Sequence, residues 1–174
     1  SKEIAERLTK MNNDITYLET NNLKGKGVGI KKALENLNST HTVIHDADLE
    51  YVPNDLIKMK KISMENPKSL ILGSRFIGDD KRKNLYKRTL YANYFLSKLF
   101  SVVHKKNITD IATCYKMIPS TFFQNFKINS SGFEFEVEVL AEYLKINNNY
   151  SKNFVVAGGV AANKNIRKKK FLKV

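Results

Sequence analysis

The sequence predicts an α/β layered domain with a mostly parallel central sheet flanked by helices. Short apolar runs that suit buried strands alternate with segments whose apolar residues recur every three or four positions, the spacing of a helix. Such alternation places helices between strands that run in the same direction. A chain of 174 residues, of which 42% are hydrophobic, is long enough to bury the core of one domain.

The elements can be assigned in order along the chain. The first helix is predicted at residues 1–11, where Ile4, Leu8 and Met11 form a stripe, and the second begins at Gly25-Lys26-Gly27. Further helices are predicted after Pro53 and at residues 85–103, 133–146 and 161–173. Strands are predicted at residues 15–18, 42–44, 69–72 and 154–159, and residues 108–117 are predicted to be a loop that enters a strand.

The polar segment Asn147-Asn148-Asn149-Tyr150-Ser151 is the best candidate for a boundary. We expect residues 1–150 to form the main domain and residues 151–174 to form a basic tail with one strand and one helix.

The composition of the chain restricts the classes of partner and the compartment that we expect for it. A formal charge of +13 admits nucleic acid, an anionic membrane surface or a phosphorylated substrate, but no aromatic and basic recognition motif accompanies it, which disfavours nucleic acid. Cys114 is the only cysteine, so an internal disulfide is excluded and a reducing, cytoplasmic compartment is the simplest expectation. No apolar stretch approaches the roughly 18 residues that cross a bilayer, so we expect any membrane contact to be peripheral.

Three acids at alternate positions follow the predicted strand at residues 42–44. In an extended chain Asp46, Asp48 and Glu50 project to one side. Carboxylate oxygens are the ligands that Mg²⁺ or Mn²⁺ prefers, and such an ion keeps positions for the oxygens of a diphosphate. Arg75 lies in the segment Gly73-Ser74-Arg75-Phe76, directly after the next predicted strand, and ligand sites collect at the carboxyl ends of such strands.

Five segments in order over about residues 1–146 resemble family-2 glycosyltransferases, most closely the synthases of dolichyl-phosphate and polyprenyl-phosphate sugars. The segments are Gly25-Lys26-Gly27, residues 45–51 with Pro53 and Asp55-Leu56, Gly73-Ser74-Arg75-Phe76, residues 108–110 with 114–116, and residues 132–138. The resemblance implies a GT-A-like (Rossmann-like) fold and transfer of a sugar, with inversion, from a nucleotide-diphosphate sugar to a lipid phosphate or related acceptor. With such an acceptor, we expect a cytoplasmic protein that can contact the cytoplasmic face of a membrane peripherally.

The resemblance also implies roles for individual residues. Asp46 and Asp48 would hold Mg²⁺ or Mn²⁺ with Glu50 as a third ligand, and Arg75 and Arg88 would bind phosphate. Gly25, Lys26 and Gly27 would approach the nucleotide. Asp110 would lie near the acceptor, as a base or as a positioning group, and Glu138 is a further candidate for the catalytic site. Structural alternatives stay open: Asp46 and Asp48 as solvated turn acids, Arg75 paired with a local carboxylate, and Asp110 as a cap.

Both ends depart from the family pattern. Family members begin with a strand and an acidic loop that hold the nucleotide base, so we expect a domain that is incomplete at its N terminus. Residues 153–170 instead resemble a segment of tRNA threonylcarbamoyl-adenosine synthases, and we interpret them as a fusion remnant. Two other functions follow as alternatives: a non-catalytic module that binds a nucleotide sugar and metal, and a basic RNA-associated protein related to tRNA threonylcarbamoylation.

Overall fold

The computed structural model describes residues 2–20, 25–46, 51–77, 87–132, 134–147 and 154–158, with the backbone alone for residues 87–89, 147 and 154–158. Within these ranges the elements are α1 (Lys2–Met11), α2 (Lys26–Leu34), β1 (His41–Val43), α3 (Asn54–Glu65), β2 (Leu70–Ser74), α4 (Lys87–His104), β3 (Lys116–Pro119), α5 (Ser120–Asn125), α6 (Phe135–Asn147) and β4 (Phe154–Gly158).

The chain divides into two compact units. One comprises Ser1–Asn38 and Ile128–Phe135, and the other comprises Ser39–Lys127 and Glu136–Val174. The second unit contains all four described strands, whereas α1 and α2 belong to the first. The predicted boundary near residue 150 separates α6 from β4 and stays a prediction.

The four described strands form one mixed sheet in the order β1-β3-β2-β4. Strand β3 lies antiparallel to both β1 and β2, and β4 lies parallel to β2, with Leu70 opposite Phe154. Strands β1, β2 and β4 therefore run in one direction and β3 runs against them. The α/β class is confirmed, but a mostly parallel sheet is not, because two of the three pairings are antiparallel.

Most predicted elements match the structure to within a few residues. The predicted strand at residues 15–18 is wrong: this segment is irregular, and Ile15 is exposed. A strand needs a neighbour for its backbone hydrogen bonds, and every pairing in the described part of the chain involves β1 to β4. The short helix α5 was not predicted, since six residues carry too little periodicity. The predicted helix at residues 161–173 lies outside the described residues.

The core of the second unit lies against β2 and β3, whose residues are all buried. Its central cluster consists of Tyr51, Met59, Ile71, Cys114, Tyr115 and Met117. The Tyr143 hydroxyl of α6 accepts a hydrogen bond from the Leu70 amide (3.0 Å) and donates one to the Lys68 carbonyl (2.8 Å), which fixes the start of β2. Among the described helices, none combines the length and apolar character needed to cross a bilayer.

In the first unit, α2 packs against the backbone of residues 130–131. The Gly27 amide donates to the Ser131 carbonyl at 2.9 Å, and a Cβ atom on Gly27 would lie 2.4 Å from the Ser130 carbonyl oxygen. Gly25, which precedes the helix, has a φ of 118°, a conformation that favours glycine. The close approach of these two segments therefore requires glycine at both positions.

Gly27→Ala should lower the free energy of unfolding by about 1–3 kcal/mol, because the added methyl group collides with backbone that cannot rotate away. Gly29→Ala is the matched control in the same helix, since a Cβ there meets nothing within 4 Å. That control should be neutral or should stabilise the protein by up to about 1 kcal/mol. Urea unfolding followed by circular dichroism measures both. Equal stabilities of the two variants would contradict the packing described for Gly27.

Candidate functional site

Three of the predicted site residues lie at one edge of the sheet in the second unit. Because β1 and β2 run in the same direction and β3, which lies between them, runs in the opposite one, the carboxyl ends of β1 and β2 lie beside the start of β3. Asp46 follows the end of β1, Arg75 directly follows β2, and Asp110 belongs to the loop that leads into β3. The loops that carry these residues therefore gather at this edge, where α/β sheets bind ligands.

Arg75 and Asp110 form a two-pronged buried ion pair. Asp110 Oδ2 accepts hydrogen bonds from Arg75 Nε (2.9 Å) and from the Arg75 amide (3.0 Å), and Oδ1 accepts from Nη2 (3.0 Å). The Arg75 side chain is only 9% exposed and that of Asp110 is 0% exposed. Such a fork of parallel hydrogen bonds fixes the plane of the guanidinium as well as its position.

A stripe of polar residues on α4 completes this cluster. Asn93 Nδ2 donates to Asp110 Oδ1 at 2.7 Å, and Ser97 Oγ donates to Asn93 Oδ1 at 3.3 Å. Ser97 Oγ also accepts from the Ile111 amide (2.9 Å), and Ser101 Oγ accepts from the Ile108 amide (2.9 Å). The residues Asn93, Ser97 and Ser101 follow one another at helical spacing, so one face of α4 holds the loop that carries Asp110.

These contacts determine the ionisation of Asp110. Burial by itself would raise the pKa of this carboxyl group, but the hydrogen bonds and the positive charge of Arg75, with the amide of Asn93, hold the pKa below its usual range. Asp110 is therefore an anion at neutral pH, with at least four hydrogen bonds to its two oxygens.

Hydroxyl groups bind the same loop to the end of β2. Thr109 Oγ1 donates to Ser74 Oγ at 2.8 Å, and Thr113 Oγ1 donates to the Gly73 carbonyl at 2.6 Å. Gly73 itself has no room for a side chain, because a Cβ atom there would lie 2.7 Å from Tyr115 Cβ. The Gly-Ser-Arg sequence at this point thus allows close contact between β2 and the loop before β3.

A chain of contacts links Arg75 to the start of the acidic segment. The Arg75 guanidinium lies 5.9 Å from the centre of the Tyr51 ring, which lies 4.3 Å from the centre of the Tyr115 ring. The Tyr115 hydroxyl is hydrogen-bonded to His45 Nδ1 at 2.7 Å. His45 directly precedes Asp46, so three contacts separate the guanidinium from the first of the predicted metal ligands.

The predicted metal ligands are described only in part. Asp46 is half-buried, whereas Asp48 and Glu50 lie outside the described residues. Among the residues that the structure describes, no group of three or more His, Cys, Asp or Glu side chains is placed to hold a metal ion. The donor chemistry of the acidic segment nevertheless fits a hard divalent cation, because all three of its candidate ligands are carboxylates.

The remaining predicted residues have different surroundings. Gly25, Lys26 and Gly27 lie in the first unit, where the two glycines contact backbone of the same unit. Arg88 falls in the first turn of α4, and Glu138 is half-buried in the first turn of α6. Their proposed roles stay predictions.

Sequence reasoning missed a second buried ion pair next to the site. Lys116, the first residue of β3, has no exposed surface, and its Nζ lies 2.8 Å from Glu136 Oε2 of α6. The same Nζ also donates to the carbonyl groups of Ile111 and Thr113. Burial lowers the pKa of Lys116, and the Glu136 carboxylate opposes that fall. A lysine inside the otherwise apolar run at residues 114–118 was the available signal.

The fold and site define an α/β domain that collects carboxylates and a guanidinium where the carboxyl ends of β1 and β2 meet the start of β3. Comparison with known proteins makes the class specific: the family described as Glycosyl transferase family 2 matches residues 1–126. No curated protein and no solved structure matched the chain.

The family match covers more than two thirds of the 174 residues, so the chain belongs to glycosyl transferase family 2. This membership defines the class of enzyme as a glycosyltransferase with a GT-A fold, a nucleotide-sugar donor and an acceptor. The finer resemblances, to the dolichyl-phosphate branch and of residues 153–170 to a tRNA-modifying enzyme, stay predictions.

Asp110→Asn should lower the free energy of unfolding at pH 7 by about 3 kcal/mol or more, because it leaves the buried Arg75 charge without its anion. The pKa of Asp110 is depressed in the folded state, so its contribution is present above the unfolded value and is lost as the pH falls through the folded value. Wild-type protein should therefore lose more stability below about pH 4 than the variant does.

Urea unfolding at several pH values between about 5 and 2.5 tests this expectation against Asp14→Asn, a change at an exposed aspartate. Parallel loss of stability in the wild type and in Asp110→Asn would show that Asp110 does not provide the acid-sensitive stabilisation.

Proposed function

We propose that this glycosyltransferase moves a sugar from a nucleotide-diphosphate sugar to a polyprenyl or dolichyl phosphate or a similar acceptor, with Mg²⁺ or Mn²⁺ held by Asp46 and Asp48. The observation that supports this proposal best is the gathering of Asp46, Arg75 and Asp110 at one sheet edge, all within the segment that matches the family. We expect the enzyme to act at the cytoplasmic face of a membrane, where a lipid phosphate is available.

The donor would be held by carboxylates and by a guanidinium. Asp46 and Asp48, with Glu50 as a third ligand, would bind the cation beside the diphosphate. When bound, the cation supplies positive charge that stabilises the departing nucleoside diphosphate. Arg75 would supply a second positive charge to the diphosphate, and Arg88 is a further candidate for that role. Gly25, Lys26 and Gly27 would approach the nucleotide.

Asp110 suits the role of a positioning group better than that of a base. Its lowered pKa makes it a weak proton acceptor, and its oxygens are occupied by Arg75 and Asn93. A lipid phosphate is already anionic, so one of its oxygens can attack the anomeric carbon while the bond from that carbon to the nucleoside diphosphate breaks. The proposed chemistry therefore needs a fixed Arg75 and no strong base at position 110.

Metal-dependent donor binding is the first test. Wild-type protein should bind UDP-glucose or GDP-mannose more tightly with Mn²⁺ than with EDTA, and Asp46→Asn and Asp48→Asn should each weaken Mn²⁺-dependent binding at least about tenfold, since each removes one hard anionic ligand. Isothermal titration calorimetry measures the affinities, and Asp14→Asn, exposed in the first unit, is the matched control.

Donor binding that is indifferent to Mn²⁺ and to both substitutions would refute the proposed metal site. RNA binding that falls steeply with salt and ignores metal would instead support the RNA-associated alternative.

Transfer to a lipid phosphate is the second test. Labelled sugar should pass to detergent-solubilised undecaprenyl or dolichyl phosphate but not to the corresponding alcohol, because only the phosphate brings an anionic nucleophile. Asp110→Asn should lower kcat at least about tenfold without changing the shape of the pH profile, since it disturbs Arg75 but removes no base.

Loss of an acidic limb of the profile in Asp110→Asn would assign Asp110 as the base and overturn the positioning role. Metal-dependent donor binding without turnover on any phosphate acceptor would favour the non-catalytic module.

A further inference from the structure

Helix α4 has its polar and apolar faces reversed relative to an ordinary surface helix. The side chains of Asn93 and Ser97 are buried, whereas six large apolar residues are each more than half exposed. We call these six the outer face of α4: Tyr91, Tyr94, Phe95, Leu99, Val102 and Val103. Contiguous apolar surface of this kind usually marks a place of interaction.

The orientation of α4 is fixed by the candidate active site. Asn93 donates to Asp110 at 2.7 Å, and Ser97 and Ser101 accept the backbone amides of Ile111 and Ile108. Rotation of the helix to bury its apolar residues would break these hydrogen bonds and leave buried polar groups without partners, which is costly. The outer face is therefore held outward by the same contacts that hold Asp110.

In the sequence, positive charge is concentrated in α4 and the residues on either side of it. Residues 81–109 contain six lysines, two arginines and no aspartate or glutamate, a formal charge of +8 out of the +13 of the whole chain. Lys98 is an exposed residue within α4, and Lys105 and Lys106 follow its last residue. A helix that lies at a membrane interface is held there by its apolar side chains and by the attraction of its cations to anionic lipid, and this segment offers both.

We propose that the outer face of α4 binds the surface of an anionic lipid bilayer, with the helix lying in the plane of the headgroups. The tyrosines and lysines suit the headgroup level, and Phe95, Leu99 and the two valines suit the acyl boundary below it. A second copy of the chain would bring the same +8 segment and would be repelled. Nucleic acid would satisfy the cations but would leave the aliphatic side chains exposed to water.

This inference deepens the proposed function, because it names the surface that meets the membrane in which a lipid-phosphate acceptor would reside. It also places the helix that positions Asp110 against that membrane. Binding of α4 to a bilayer, however, requires neither the sugar donor nor the acceptor, so it can be measured separately from sugar transfer.

The chain contains no tryptophan, so a single introduced tryptophan reports on its own surroundings. With phosphatidylcholine vesicles that contain about one third phosphatidylglycerol, Phe95→Trp should show a blue-shifted emission and should sediment with the vesicles. The matched control is Ile57→Trp, at an equally exposed apolar residue of α3 (69% against 67% exposed), which should show no blue shift.

Two pairs of substitutions separate the contribution of the apolar side chains from that of the cations. Leu99→Gln with Val102→Gln should weaken vesicle binding at least about tenfold, and so should Lys98→Gln with Lys105→Gln, whereas Lys60→Gln with Met64→Gln on α3 should not. Raising the salt concentration to 0.5 M or omitting phosphatidylglycerol should also weaken binding.

The proposal is overturned if Phe95→Trp neither shifts nor sediments, if it shifts equally with neutral vesicles in high salt, or if its emission shifts with protein concentration in the absence of lipid, which would indicate a second copy. Failure here, together with transfer to a detergent-solubilised acceptor, would reject the membrane surface and leave the proposed function standing. Vesicle binding without transfer to any acceptor would support the membrane surface and reject the proposed function.

Discussion

The buried ion pair between Arg75 and Asp110 is the constraint on which the rest of the second unit depends. A guanidinium and a carboxylate that are both removed from water must satisfy each other, and their fork geometry permits only one arrangement of the chain segments that carry them. That arrangement joins the end of β2, the loop before β3 and, through Asn93, the helix α4. Removal of either partner would leave the other charge buried and unpaired, so the pair keeps these three segments together.

Sequence patterns predicted the elements well and their partners poorly. The run Ser-Leu-Ile-Leu before Gly73 predicted a buried strand because three of its four residues are large and apolar, and β2 is indeed fully buried. No local pattern indicated that β3 would insert antiparallel between β1 and β2, because periodicity reports which side of a chain faces inward and not which strand lies beside it. The same limit explains the wrong strand at residues 15–18.

In the candidate site, too, individual residues could be predicted from the sequence but their partners could not. The rule that ligand residues follow strands identified Arg75 and Asp46 from the sequence, and the resemblance identified Asp110. The pairing of Arg75 with a carboxylate was one alternative, but neither Asp110 as its partner nor Asn93 as the third member could be derived, since they are brought together by the tertiary fold. Lys116 in β3 and Glu136 in α6 were missed because charged side chains are rarely fully buried in either kind of element.

The Lys116–Glu136 pair shows that the segment that matches the family is shorter than the segment that must fold together. The family match stops at residue 126, but the carboxylate that accompanies the ammonium group of β3 is supplied by α6, beyond that limit. Tyr143, also in α6, holds the first amide of β2. A fragment trimmed to the matched region would therefore lack the carboxylate partner of Lys116 and the hydroxyl that binds the start of β2, so α6 belongs in any minimal expressed domain.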